Sequence, residues 1–545
     1  MITTKDWLPF FPMSNPRPRQ EEAINFILNA FEEGKRFVLA ELPTGVGKSA
    51  IGVTVARYLN AKLPVDQTGL FTPGAWFVTT QKILQDQYLR DFENLGMRSV
   101  KSSSNYGCTY PQQKGHTCEQ SQQLLKTADE DSPFYKKCFF NCIYRQAKRD
   151  FIEGQMSVTN FPYMLTDANY SKKMTGRALL VIDEAHNIEN EVGRFVEVSI
   201  AERFAQSVTK LSIPDLRSEQ QAHDWIEQIY CPKVIEHCDH MEKTINKLLK
   251  DKGNLKDFPV VSRQFELLKG HRTKLEQFLD NYSQDNWAYE MIEGDESSGR
   301  RVQFKTIDVG LYTQDTLFKL GERVLMMSAT VLNKEAFCCS IGLKTTDVAF
   351  ITAPSPFPPE NRPILFFPAG QMGRDHIDKT LPKMAKMVTE ILANHKNEKG
   401  IIHCRTYNIA QYLKRTLKDN RLLIHGSNDR DDVLARHMSS SKPTVLLSPS
   451  MTEGVDLRDD ASRFQVICKM EFPYLGDKIV KKRMNKWKWW YDFQTAKSFM
   501  QSIGRSVRSD SDHAVTYILD ADWDRFYGKN HDMFPPDFHQ LVIKT

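Results

Sequence analysis

Leu42-Pro43-Thr44-Gly45-Val46-Gly47-Lys48-Ser49 follows a short apolar run, Arg36-Phe37-Val38-Leu39-Ala40, and opens a segment whose Ile51, Val53, Val55 and Ala56 suit a helix. A buried strand, a glycine-rich turn and a helix, in that order, are the setting of a phosphate-binding loop. Gly45 and Gly47 let backbone N–H groups close around phosphate oxygens, and the helix N-terminus adds positive potential. Lys48 has the reach for the β- and γ-phosphates, and Ser49 is placed to ligate Mg²⁺. Leu42 stands where the generic pattern has its first glycine, so the Pro-Thr-Gly-x-Gly-Lys-Ser core carries the reading. Thr44, Gly45, Val46, Gly47, Lys48 and Ser49 are the candidate nucleotide ligands.

Further along, Leu179-Leu180-Val181-Ile182 reads as a buried strand that ends in Asp183-Glu184-Ala185-His186. A strand end sets two carboxylates beside a phosphate loop. Asp183 suits Mg²⁺, and Glu184 suits the orientation of an attacking water, because phosphoryl transfer depends on positioning and electrostatics. Alone, such an acidic tetrapeptide is weak evidence, since it also reads as a capped helix start; paired with the loop at Lys48 it is strong. Late in the chain, Gln501-Ser502-Ile503-Gly504-Arg505-Ser506-Val507-Arg508 sets Arg505 and Arg508 three residues apart, on one face of a helix. A guanidinium aimed at a γ-phosphate neutralises charge that develops during transfer. Gln501, Arg505 and Arg508 join Lys48 and Glu184 as candidate catalytic residues.

Around these segments the chain alternates strand and helix patterns. Trp76-Phe77-Val78-Thr79 is another strand, and Gln20 to Phe31 is an amphipathic helix. With Val324-Leu325-Met326-Met327 the first sheet is expected to be complete. The Pro-rich stretch Pro354 to Pro359 marks a linker. Beyond it, strands are expected at Ile364–Phe367, Gly400–His403, Leu422–Ile424, Val445–Leu447, Gln465–Ile467 and Val515–Leu519. The fold class is α/β: two parallel-sheet domains, which the family resemblance given below implies are RecA-like, the first carrying two insertions. The expected divisions are 1–100, 156–194 and 301–353 for the first domain and 354–545 for the second. Residues 101–155 form a polar, loop-rich four-cysteine insertion, and 195–300 a charged insertion of helical pattern with few strand signals.

The chain has 545 residues, 41% hydrophobic and 26% charged, with a net charge of +5, which suits a soluble multidomain protein and permits nucleic-acid binding without arguing for it. No apolar run approaches a membrane span, and the first residues lack a signal-peptide pattern, so a cytoplasmic protein is expected, from a bacterial or phage-infected cell, or a nuclear one if eukaryotic. Of ten cysteines, four fall between residues 108 and 142: Cys108, Cys118, Cys138 and Cys142. Thiolates suit iron–sulfur clusters or zinc. The spacing C-x9-C-x19-C-x3-C lacks the paired C-x2-C knuckles of structural zinc. His116 is an alternative ligand, though such a histidine is more often a surface residue. Cys231, Cys238, Cys338 and Cys339 read as structural.

Taken in order, these segments resemble the superfamily 2 helicases, and within them the XPD/DinG group of iron–sulfur helicases. Arg17-Pro18-Arg19-Gln20 is similar to the group's adenine-reading segment, with Gln20 in that role. Thr79-Thr80-Gln81-Lys82 resembles its strand-contacting segment, Asp183 to His186 its DEAH box, and Ser328-Ala329-Thr330 its coupling segment. Thr452-Glu453-Gly454-Val455-Asp456-Leu457 resembles the part joining ATP site to bound strand, which puts Gly454 and Asp456 among the nucleotide ligands. Lys469 to Tyr474 and Gln501 to Arg508 complete the series. The resemblance implies ATP and Mg²⁺ as cofactors, a [4Fe–4S] cluster on the four cysteines with zinc as the alternative, and an Arch-like domain at 195–300. It also implies a monomer acting 5′→3′ on single-stranded DNA and on fork or overhang duplexes, in repair or replication, away from membranes.

Phosphate grip suits Thr79, Thr80 and Gln81 on the first domain and His403, Arg405 and Thr406 on the second. The run Lys481-Lys482-Arg483 to Trp487-Lys488-Trp489-Trp490-Tyr491 offers a basic aromatic strand-binding surface, but its helical spacing fits a packed amphipathic helix better. Two competing functions keep the nucleotide site: a translocase or protein-displacing remodeller without strong unwinding, and a nucleotide-gated scaffold without turnover.

Overall fold

A computed structural model describes residues 1–62, 69–111, 115–125, 128–171, 173–250, 258–294, 299–426, 429–449, 457, 459–504, 506–507 and 512–543. In the first part of the chain the strands are β1 (Phe37–Glu41), β2 (Phe71–Thr79), β3 (Met97–Ser99), β4 (Met156–Asn160) and β5 (Gly176–Asp183). A small sheet uses β6 (Val198–Ala201), β7 (Trp287–Ile292) and β8 (Arg301–Thr306), after which come β9 (Gly321–Ser328) and β10 (Val348–Thr352). The second part contributes β11 (Ile364–Gly370), β12 (Gly400–His403), β13 (Leu422–Ile424), β14 (Val445–Ser448), β15 (Phe464–Ile467), β16 (Val515–Asp520) and β17 (Val542–Ile543).

The first sheet has the order β10-β1-β9-β5-β2-β4-β3 and the second β13-β14-β12-β15-β16-β11-β17. Every pairing in both is parallel. Helices cover both faces, so the central strands are apolar throughout: Val38, Leu39 and Ala40 of β1 and Leu180, Val181 and Ile182 of β5 are almost wholly buried. Each such Val, Leu or Ile side chain contributes about 1.5–3 kcal/mol by leaving water. Side chains alternate between two cores, one on each face of the first sheet, with Val38 and Ala40 in one and Leu39 in the other.

The register brings several strand ends together. β1, β9, β5 and β2 are neighbours, Glu41 pairs with Ser328, Asp183 with Met327, and Val78 with Ile182. The segments that follow these strands, beginning at Leu42, Ala329, Glu184 and Thr80, therefore lie in a row along one sheet edge. In open parallel sheets this carboxyl edge is where ligands bind.

Three expectations are corrected. The first sheet is not complete at residues 324–327: β10 adds on the outer side of β1, its Val348 and Phe350 packing into the core. The cysteine insertion is more helical than loop-rich, with helices Cys118–Leu125, Pro133–Phe140 and Ile143–Glu153. The second insertion is not all-helical. Its long helices Cys231–Lys250 and Phe258–Asp280 pack beside the antiparallel sheet β6-β8-β7. Tyr289 and Met291 flank Glu290, and Val302 and Phe304 alternate with Arg301, Gln303 and Lys305, at the period of a half-buried strand. β8 reaches Thr306, past the expected boundary at 300.

Candidate nucleotide site between two parallel sheets

Gly45 and Gly47 adopt φ of 85° and 87°, a region in which side chains are strained. A β-carbon at Gly45 would strike the ring of Phe357, and one at Gly47 the amide of Gln20. The loop is thus closely covered. Val46 is buried, and Thr44 and Ser49 are half-buried. Lys48 donates to the Leu42 carbonyl at 3.5 Å. Gln20, buried, accepts from the Arg17 backbone N–H at 2.9 Å and reaches the Gly47 carbonyl at 3.4 Å. Arg17 donates to the Gly45 carbonyl at 2.5 Å. The Arg17–Gln20 segment therefore packs directly on the loop.

Asp183 ends β5, buried, with its Oδ2 accepting from Tyr88 Oη at 2.9 Å and its Oδ1 from the Glu184 backbone N–H at 3.0 Å. Burial pushes its carboxyl up to about 6; neighbouring Glu184 adds to this, while Lys48 and Tyr88 oppose it. Tyr88 is itself buried and bonds both Asp183 and Ser49, the two candidate Mg²⁺ ligands. Tyr88 carries no motif of its own in the sequence, standing between Gln87 and Leu89 on the helix Lys82–Phe92. Glu184 takes a left-handed φ of 56°, which turns the chain sharply after the strand.

A chain of bonds then leads away from the acids. His186 Nδ1 meets Ser328 Oγ at 2.9 Å and lies 3.4 Å from Glu184 Oε2. Asn187 Nδ2 donates to His186 Nε2 at 2.9 Å, which leaves the ring proton on Nδ1. Ser328 Oγ also accepts from the Thr330 N–H at 3.0 Å, and Gln501 Nε2 donates to Thr330 Oγ1 at 3.4 Å. Gln501 sits on the helix Trp490–Ile503 of the second half, so that helix borders the edge carrying Lys48 and Asp183. Phe357, from the Pro-rich linker, packs with Val507 and Ala514 of the second half while covering Gly45. Its selection as a site residue would have needed a reading of the linker as a crossing rather than a spacer. Gly454, Asp456, Arg505 and Arg508 lie outside the described residues.

Cys108, Cys118, Cys138 and Cys142 line one cavity, with Cys118 Sγ and Cys142 Sγ 3.4 Å apart. The Cys142 thiol accepts hydrogen bonds from both Cys118 and Cys138, which pulls it down and pushes theirs up. Four converging thiols are a donor set for a soft metal group, and iron–sulfur or zinc chemistry fits it. His116 is exposed and outside that lining. Cys231, Cys238 and Cys338 are buried in apolar cores, and Cys339 is exposed. A further His223, Asp224 and Glu227 group lies on the second insertion.

Of the strand-contact candidates, Thr79 is fully buried at the end of β2, so only Thr80 and Gln81 of that segment present surface. Arg405 is exposed with a left-handed φ of 65°, while Thr406 caps the helix Tyr407–Leu417 by accepting from the Ile409 N–H. His403 is buried. The basic aromatic run packs, as its spacing favoured: Trp490 and Arg483 are buried and Trp487 and Trp489 half-buried.

Residues 389–535 match the family model described as a helicase C-terminal domain, and residues 13–212 that of the type III restriction enzyme res subunit. The two matches fall on the two parallel-sheet halves, and the chain is similar to superfamily 2 helicases of the XPD/DinG type. Among helicase relatives, the ATP-dependent DNA helicase YoaA of Escherichia coli is 20% identical, covering 93% of this chain and 92% of that one. YoaA of Haemophilus influenzae is 18% identical over 73% of this chain and 69% of its own. The solved structure titled XPD helicase matches with a TM-score of 0.64 at 16% identity, over 98% of this chain and all of the other. Xpd4 of S. tokodaii follows at 0.58 and 14% identity, over 97% of this chain and all of the other. These structures share the helicase fold of paired parallel sheets. No described helix is long and apolar enough to cross a membrane.

Proposed function

We propose that this helicase is an ATP-dependent DNA helicase that moves 5′→3′ along single-stranded DNA and unwinds duplexes in repair or replication. One observation carries the reading: the loop at Lys48, the acids at Asp183 and Glu184 and the Ser328–Thr330 turn share one sheet edge, against the helix of Gln501. Lys48, Ser49 and the loop amides hold the triphosphate, Gln20 reads the base, and Asp183 with Ser49 holds Mg²⁺, assisted by Tyr88. Mg²⁺ supplies charge neutralisation at the phosphates. Glu184 orients water towards the γ-phosphate, and its His186 neighbour relays the outcome through Ser328 and Thr330 to Gln501. Arg505 and Arg508 on the second half supply the positive charge that makes hydrolysis depend on closure. Gly454 and Asp456 join the nucleotide site from the same half.

Thr80, Gln81 and Arg405 grip the phosphate backbone, with Thr79, His403 and Thr406 shaping the turns that present them. The four cysteines hold a [4Fe–4S] cluster, which braces the insertion between β3 and β4; zinc is the alternative. The protein works as a monomer in the cytoplasm or nucleus. The domains run 1–100, 156–194 and 307–353 for the first motor half and 354–545 for the second, with the insertions between.

Strand-displacement assays on duplexes with a 5′ or a 3′ overhang test this. Unwinding with ATP from the 5′ overhang, lost in Lys48→Ala, is expected. A strict requirement for a 3′ overhang would overturn the polarity, and hydrolysis surviving Lys48→Ala would overturn the site. Displacement of a bound protein without strand separation would favour the translocase.

A further inference from the structure

Glu189 is buried one turn beyond His186, second in the helix Ile188–Val196. Its Oε1 accepts from Arg483 Nη1 at 2.9 Å and from Trp490 Nε1 at 3.1 Å, and its Oε2 from Gln494 Nε2 at 2.9 Å. An acid at this position gains from the helix dipole even when exposed. Burial is a different matter, since a buried carboxylate is costly unless all its lone pairs are used. Here both oxygens are used, by three donors that all come from the second half of the chain. Arg483 spreads its other donors over the Ile307 carbonyl at 3.0 Å and the Thr306 carbonyl at 3.2 Å, at the end of β8. One guanidinium thus ties the acid, the second motor half and the exit of the small sheet.

Trp490, Gln494, Lys497 and Gln501 are spaced four, three and four apart, so they share one face of their helix. That face runs along the DEAH segment. Trp490 and Gln494 hold Glu189, Lys497 donates to the His186 carbonyl at 3.4 Å, and Gln501 reaches Thr330. With the His186–Ser328–Thr330 bonds, these contacts close a ring that passes through both halves and through His186, 3.4 Å from Glu184 Oε2.

We propose that Glu189 is a positioning residue: it fixes the DEAH turn against the second-half helix, so that the state of the nucleotide is read out as motion. The inference rests on the helicase reading above. Its local role is to hold one end of the shared face while the Gln501 end responds.

The test uses the full chain, oligothymidine as the strand, and three measurements: ATPase with and without DNA, affinity for a non-hydrolysable ATP analogue, and the thermal unfolding midpoint. Glu189→Gln keeps the shape but turns an amide N–H₂ towards Gln494. DNA-stimulated kcat is expected to fall about tenfold, with KM and analogue affinity within about twofold, the signature of an interaction realised only in the reacting state. Combining Glu189→Gln with Gln494→Glu restores donor and acceptor across the contact and is expected to recover stimulation. If Glu189→Gln does not fold, Trp490→Phe removes one donor while keeping a ring, and the same split is expected. Unchanged stimulated kcat, a rise in KM alone, or failure of the double change to recover would overturn the proposal. Absence of DNA stimulation in the unaltered protein would instead sink the helicase reading itself.

Discussion

Glu41 offers a sharp test of how the phosphate loop is held. It ends β1, directly before Leu42, and is buried. Its Oε1 accepts from the Val331 and Leu332 backbone N–H groups, both at 2.8 Å, and its Oε2 from Thr352 Oγ1 at 3.3 Å. Leu332 has a left-handed φ of 62°, a conformation that the bond to Glu41 helps to hold. Burial raises the Glu41 carboxyl, against the lowering effect of those two amides. Glu41→Ala leaves two buried N–H groups without this acceptor. Each costs about 1–3 kcal/mol, so the local loss is about 2–6 kcal/mol. At 1.36 kcal/mol per tenfold, amide exchange across residues 328–334 should speed up between about thirtyfold and about 25,000-fold. Glu41→Gln keeps an oxygen for both amides and an N–H₂ for Thr352, and removes a buried charge, so its exchange should match the parent protein. Hydrogen exchange read by mass spectrometry on peptides spanning that segment decides the matter. Equal protection in Glu41→Ala and Glu41→Gln would refute the reasoning, because it would mean that the carboxylate is not what holds the turn after Thr330.

His437 is buried, its Nε2 on the Ala461 carbonyl and its Nδ1 on Thr444 Oγ1, and burial lowers its pKa to about 4. The folded value lies below the unfolded 6.5, so its stability is full above pH 6.5 and is lost as pH falls towards 4, by about 3 kcal/mol in all; His437→Gln should flatten the acid limb of an unfolding-midpoint profile between pH 7 and 4. Tyr88→Phe removes the hydroxyl shared by Asp183 and Ser49, so the Mg²⁺ concentration for half-maximal ATPase should rise by about tenfold, one hydrogen bond to a charged group being worth about 1.5–3 kcal/mol; an unchanged Mg²⁺ dependence would refute the bridge. Cys138→Ser should lower the iron content and visible absorption of protein purified without oxygen, whereas zinc found at one equivalent in the unaltered protein would exclude the cluster.

The parallel sheets were legible because buried strands announce themselves. Val38-Leu39-Ala40 and Leu179 to Ile182 are apolar runs too short for helices, and all six strands expected in the second half are present. β7 and β8 escaped because their alternation sits inside a segment whose charged helices dominate any longer window. β10, Val348-Ala349-Phe350-Ile351-Thr352, follows the Ser328–Thr330 turn with no motif of its own, and as an outer strand it needs only one neighbour, β1. Within the site, Lys48, Asp183, Glu184 and Gln501 could be named from spacing, since their chemistry is written in residue type. Tyr88, Phe357 and Glu189 could not. Their roles come from contacts between segments far apart in sequence, and a buried Tyr, Phe or acid has no local signature that separates it from packing.

The two ends of the Trp490–Ile503 helix are held differently, and that difference says where motion begins. Trp490 and Gln494 bond a buried carboxylate that also faces a guanidinium, while the bond from Gln501 to Thr330 is 3.4 Å long and joins neutral groups. Charge-assisted bonds in a buried setting are roughly twice as strong as neutral ones. Eleven residues separate Trp490 from Gln501, which at 1.5 Å per residue is about 16 Å. A small rotation about the anchored end therefore displaces the Gln501 end most. That end continues into Gly504 and the arginines proposed to meet the γ-phosphate, so closure and opening of the nucleotide cleft would work against a long neutral bond and leave the charge-assisted Glu189 end as the pivot.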